Sequence, residues 1–191
     1  MRLFVALEIP SAVRTNLAAV TAGLRALESE SPGKKSRWTP PENLHVTLKF
    51  IGNVAPEKLD QIRTLLTRVR SERPVELRFR GLGFFPDAKR PRVVWAGVTG
   101  SPNLAVVAAD IDRALTGPGF SSEERAFTPH LTLARTEPAA FSPKLRAAIE
   151  KDAARDLGQF CSNQFHLIES KLKPTGAEYT TLQSFAFAAE A

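Results

Sequence analysis

Cysteine is nearly missing from this chain, which has one, Cys161, in 191 residues. A single thiol excludes an internal disulfide framework and fits a reducing compartment, so a cytoplasmic protein is expected, with Cys161 as a core or structural thiol. Histidine is almost as scarce, at three residues. With no Cys or Asp/Glu clustered beside them, those imidazoles show no metal-ligand spacing, and neither a metal nor a cofactor is expected. No apolar run reaches membrane-spanning length, and the chain opens on a strand pattern rather than a signal peptide, so no membrane association is expected either. Positive charge, by contrast, is plentiful. The formal net charge is +6 and the pI near 9.8, with 17 Arg against 9 Lys. That balance favours a polyanionic partner, and the arginine fork suits phosphate. At 43% hydrophobic, the chain can build one substantial domain or two intimate lobes.

The scarce histidines are not scattered. His45-Val46-Thr47-Leu48-Lys49-Phe50 and His130-Leu131-Thr132-Leu133-Ala134-Arg135 both read His, apolar, Thr, Leu, and both have strand character. Strand side chains alternate between faces. His45 and Thr47 therefore share one face, while Val46, Leu48 and Phe50 are expected on the other, toward a core. His130 and Thr132 share a face in the same way. With 14 Thr and 21 Leu in the chain, finding Thr at +2 and Leu at +3 after two of three histidines has chance odds on the order of one in five thousand. The third, His166, is followed by Leu167-Ile168 and reads as a structural strand histidine.

In chain order, residues 2–9 form a buried strand ended by Pro10. Val13, Leu17, Val20, Leu24 and Leu27 then fall at helical spacing behind Ser11. Residues 29–43 read as a loop with a basic cluster at Lys34, Lys35 and Arg37. After the first motif, Pro56-Glu57 opens a helix with Leu59, Ile62, Leu65, Leu66 and Val69 on its apolar side. Strands at 75–84 and 92–99 flank the turn-rich run Pro86 to Pro91. A helix carrying Leu104, Val107, Ile111 and Leu115 precedes the second motif. A helix near 143–156 and strands near 163–171 and 179–187 complete the chain. Residues 1–90 and 91–191 look like an internal repeat: Leu3–Ile9 answers Val93–Thr99, and Trp38-Thr39-Pro40 answers Phe127-Thr128-Pro129. The expected fold is α+β, one domain over 1–191, with two pseudo-symmetric βαβ-rich lobes whose sheets bring both His-x-Thr faces to a central cleft.

These motifs resemble those of the two-histidine (2H) phosphoesterases, and the chain is similar to their bacterial and archaeal branch, the RNA 2′,3′-cyclic phosphodiesterases or 2′-5′ RNA ligases. The likeness covers Arg2 to Ala6, Arg37-Trp38, Glu42-Asn43-Leu44, Phe50-Ile51-Gly52, Arg125 to Arg135, Glu169 to Leu172 and Gly176 to Tyr179. It implies an antiparallel bilobed fold with internal symmetry. It also implies hydrolysis of a cyclic phosphate at an RNA end to a 2′-phosphate, with His45 as acid and His130 as base.

The chemistry of the residues agrees without fixing which ring plays which part. One imidazole can take a proton from the attacking oxygen while the other gives one to the leaving oxygen, since a pKa near 6.5 allows both states near neutrality. Thr47 and Thr132, each about 7 Å along the strand from its histidine, can donate to non-bridging phosphate oxygens. The resemblance adds Arg135 as a phosphate contact. Strict alternation puts it on the face opposite His130, so that role requires the strand to bend or end. Lys49 shares the parity of His45 and is a further substrate-binding candidate. Trp38, Phe84 and Phe85 suit base stacking and equally suit core edges. The basic runs at Lys34–Arg37 and Lys89–Arg92 suit an RNA backbone and equally a solvated loop. The expected partner is RNA with a cyclic-phosphate end, tRNA fragments included, bound by a monomer. The alternatives are a reversible 2′-5′ RNA ligase, a phosphodiesterase for small cyclic-phosphate nucleotides, or an RNA-binding module without catalysis.

Overall fold

Residues 1–29, 36–116, 119–122, 126–135, 142–174 and 176–187 are described by the structure, a computed structural model. Strand β1 (Arg2–Glu8) runs into helix α1 (Ser11–Ser29), and the two-residue strand β2 (Arg37–Trp38) follows. A 3-10 turn at Pro41–Asn43 leads into β3 (His45–Asn53), and a second at Pro56–Lys58 into α2 (Leu59–Leu66). Next come β4 (Val75–Phe85), β5 (Val93–Gly100), α3 (Asn103–Thr116) and β6 (His130–Arg135). The chain ends with α4 (Pro143–Lys151), β7 (Asp156–Ser162), β8 (Gln164–Lys173) and β9 (Gly176–Ala186).

These strands form two sheets, with orders β3-β1-β8-β9 and β2-β6-β5-β4-β7, and every pairing is antiparallel. The α+β, antiparallel two-sheet architecture is therefore as expected. The sheets do not follow the sequence halves. β4, from the first half, lies inside the five-stranded sheet, and β8 and β9, from the second, complete the four-stranded one.

Each sheet has a helix-covered face and an open one. On β1, Leu3, Val5 and Leu7 are at most 1% exposed and join the main core, with Ile9 just beyond the strand. Burying one such side chain is worth about 1.5–3 kcal/mol. Phe4 and Ala6 take the other face and form a separate small cluster with Ile168 and Tyr179. Helix α1 packs on β7 and α4, and α3 on β3, β4 and β5. Pro143 at the first turn and the Ser142 hydroxyl, which accepts from the Leu145 N–H at 3.1 Å, start α4.

Two expectations need correction here. The helix near 143–156 stops at Lys151, and Asp156–Ser162 is a strand at the sheet edge. Its apolar residues are few and its pairing with β4 is irregular, so neither period is readable. Cys161 lies on that strand opposite Glu76 and is exposed, not core.

Candidate active site

The two motif strands, β3 and β6, approach one another from the two sheets. His45 and His130 are held alike. The His45 Nδ1 lies 2.7 Å from the Asn43 carbonyl oxygen, and the His130 Nδ1 lies 2.8 Å from that of Thr128. A carbonyl can only accept, so each Nδ1 carries the hydrogen and each Nε2 is left to exchange a proton. The bond comes in both cases from the residue two before the histidine. On the His45 side that residue is anchored, since the Asn43 side-chain amide donates to the Ala177 carbonyl at 2.7 Å, tying the 3-10 turn to β9.

Aromatic rings fix both imidazoles. Phe4 lies 4.7 Å from the His45 ring, and Tyr179 meets it edge-on at 5.2 Å. Phe85 meets His130 edge-on at 5.0 Å and touches Trp95 at 5.4 Å. Burial lowers the pKa of His45 from the usual 6.5, with the Asn43 hydrogen bond opposing and the charges of Arg135 and His130 adding to the effect. Burial raises that of Tyr179, against the pull of Arg135 and Arg2, so its hydroxyl stays a donor. Thr47 and Thr132 are half-buried, opposite Ala6 and Trp95, and neither hydroxyl bonds to a described residue. A groove of about 600 Å³ opens beside His45, lined in part by Glu42, Asn43, Ile168, Tyr179 and Thr181.

A register shift in each motif strand decides what else faces the cleft. On β3, Ala6 pairs with Thr47 but Val5 pairs with Lys49, so Leu48 is the extra residue of a bulge. On β6, Trp95 pairs with Thr132 but Val94 pairs with Ala134, so Leu133 is the extra residue. Parity reverses after each. Arg135 is thereby exposed on the side of His130 and Thr132, which meets the bend its role required. Phe50, expected in the core, is 53% exposed and lies 6.1 Å from Phe4. Lys49 moves the other way. It is 4% exposed, paired with Asp112 and donating to the Ser121 carbonyl at 2.8 Å, so it is not on the cleft face.

The remaining candidates divide similarly. Phe84 belongs to the core, and its neighbour Phe85 faces His130, because a bulge near Gly81 shifts β4 before that point. Trp38 packs on the core edge, and its indole N–H donates to buried Glu28 at 2.7 Å. His166 is 5% exposed, its Nδ1 2.9 Å from the Ser184 hydroxyl. Burial lowers its pKa, with Glu8 opposing. The run Lys89–Arg92 is a loop in which Asp87 accepts from the Lys89 and Arg90 N–H groups. Lys34, Lys35 and Arg125 lie outside the described residues. Among the described residues no three His, Cys, Asp or Glu side chains converge as a metal site would need.

Residues 11–173 match the family model of the 2'-5' RNA ligase superfamily. The chain belongs to that superfamily. Relatives named RNA 2′,3′-cyclic phosphodiesterase include one from Methanocaldococcus jannaschii, 32% identical over 97% of this chain and 100% of that one. Another, from Archaeoglobus fulgidus, is 34% identical over 97% and 99%. Among solved structures, TT0787 of Thermus thermophilus superposes with a TM-score of 0.82 at 29% identity, covering all of both chains. E. coli LigT complexed with 3′-AMP gives 0.76 at 26%, covering 98% of each. The two-sheet fold is thus the superfamily's own, and the names of these relatives agree with an enzyme rather than a bare binding module. No described helix in this superfamily member is long and apolar enough to cross a membrane.

Proposed function

We propose that this protein hydrolyses the 2′,3′-cyclic phosphate at an RNA end to a 2′-phosphate by proton transfer between His45 and His130. The observation that carries the reading is the matched setting of the two rings, each with Nδ1–H on the carbonyl two residues before it and Nε2 left for chemistry. Relatives named for this activity support it. Water attacks phosphorus while the His130 Nε2 takes its proton. The bond to O3′ breaks as the His45 Nε2 delivers a proton to it. The phosphate stays on O2′, and the two protonation states are exchanged at the end of the turnover.

Thr47 and Thr132 donate to the non-bridging oxygens as charge builds there, and Arg135 adds a fixed positive charge. In the free protein burial disfavours the charged form of His45 relative to an ordinary imidazole. An anionic phosphate in the cleft favours its protonated form, so the acid is armed by the substrate. Residues 1–191 act as one domain and a monomer, on RNA ends in the cytoplasm, tRNA fragments among them. The test is end-group analysis of a short cyclic-phosphate-ended RNA after incubation with the protein. A 2′-phosphate is expected. Joining of two RNAs, or turnover of cyclic mononucleotides alone, would favour the ligase or small-nucleotide reading instead.

A further inference from the structure

Beside His45 stands a carboxylate with no part in the proton transfer. Glu8 ends β1 directly opposite His45 of β3, and directly opposite residues of an antiparallel pair share a face. Its side chain is half exposed and lines the groove next to the imidazole. It is held from β9, because the Thr181 hydroxyl donates to its Oε1 at 2.9 Å. The buried His166 ring approaches the same oxygen, with Nδ1 at 4.0 Å. Glu178, also on the groove, is instead paired with Lys173 of β8. Ile168 and Tyr179 give the groove an apolar side and cluster with Phe4, which lies against His45. At about 600 Å³, the groove falls in the range of small-ligand sites.

The proposed reaction brings the terminal nucleoside to this side of the cleft. Water attacks from the side of His130, and O3′, which receives the His45 proton, belongs to the terminal ribose. The base on that ribose is therefore next to the groove. A carboxylate only accepts, and with about four acceptor sites Glu8 can take a ligand donor besides Thr181. The terminal ribose has no hydroxyl to give: O2′ and O3′ are bound in the cyclic phosphate, and O5′ carries the chain. The donors that remain are the N–H groups of the base. Adenine, cytosine and guanine carry an exocyclic amino group. Uracil has a carbonyl where cytosine has its amino group, and it turns oxygen lone pairs toward a carboxylate. We infer that the groove seats the terminal base against Ile168 and Tyr179, and that Glu8 reads it, favouring a base with an exocyclic amino group over one without. The inference rests on the proposed RNA-end reaction for which nucleoside enters the groove. The placement of Glu8 beside His45 is independent of that reading.

The experiment titrates the protein with nucleoside 2′-phosphates in two matched pairs, cytidine against uridine and adenosine against purine riboside, which lacks only the amino group. The wild type should bind the amino-bearing member of each pair about tenfold tighter, the scale of one hydrogen bond to a charged acceptor. In Glu8→Gln, whose amide can also present an N–H to uracil O4, both preferences should fall to within about twofold. Its affinity for uridine 2′-phosphate should be kept or improved, which a merely damaged groove would not show. Thr181→Val, which frees the Glu8 carboxylate without removing it, should keep part of each preference. Equal binding within either pair by the wild type, no measurable binding of any of the four, or a full preference surviving in Glu8→Gln would overturn the inference. So would a loss of uridine 2′-phosphate affinity in Glu8→Gln, which would mark a structural role. If the wild type leaves the corresponding cyclic phosphates uncleaved, the catalytic reading fails, and the binding comparison still decides the role of Glu8.

Discussion

At the scale of single residues, the proposed chemistry depends on two imidazoles that differ in setting from the third. His45→Ala and His130→Ala should each lower turnover of a cyclic-phosphate RNA by about a hundredfold or more, the usual contribution of a positioned acid or base. Thr47→Ala and Thr132→Ala should be milder but clearly impaired. His166→Ala should turn over normally and melt earlier, since its ring is buried against Ser184. The pH dependence follows from His45. Its pKa lies below 6.5 in the free protein, mainly through burial. The acidic limb of a bell-shaped kcat/KM profile is set by the lower macroscopic pKa of the coupled pair, whichever ring is acid or base, and it should therefore fall below 6.5. An NMR titration should show the same low value for His45 and an upward shift when inorganic phosphate is added. An unshifted ring in both conditions would remove the electrostatic part of the mechanism. The histidines and threonines were legible because their spacing repeats. Phe4 and Tyr179 were not. In the run Leu3 to Leu7 every residue is apolar, and nothing in it says which side chains face a core and which face an imidazole.

At the scale of elements, bulges decide what the alternation rule could not. One extra residue after each His-x-Thr buries Lys49 and Ala134 and exposes Phe50 and Arg135. A bulge is a property of two paired strands, so a period read along one strand misses it. The same applies to β4, where the shift near Gly81 puts Phe84 in the core and Phe85 against His130. Gly81 has a φ of +76°, and a Cβ there would sit 2.2 Å from the Ala153 carbonyl oxygen. Gly81→Ala should therefore cost at least about 1–2 kcal/mol, read from urea unfolding, and should lower turnover by disturbing the ring behind His130. An unchanged unfolding midpoint would show that β4 does not need this backbone. Short and edge elements were the least readable: β2 has two residues, and β7 shows neither helical nor strand period.

At the scale of the whole molecule, the two-sheet α+β class and the meeting of the motif strands could be anticipated, because each motif needs one buried and one open face. The exchange of β4, β8 and β9 between the sequence halves could not, since strand order depends on contacts distant in sequence. The net charge of +6 is a property at this scale too. If it serves RNA, KM for an oligonucleotide should rise steeply with salt while a cyclic mononucleotide responds much less. Equal responses would mean that the basic surface is not a binding track. The most direct test of the paired-histidine mechanism is end-group analysis of a short 2′,3′-cyclic-phosphate RNA, incubated in EDTA with the wild type, His45→Ala or His130→Ala. Complete conversion to the 2′-phosphate by the wild type is expected, and almost none by either folded variant. Mixed 2′ and 3′ products, loss of the wild-type rate in EDTA, or an active histidine variant would contradict it.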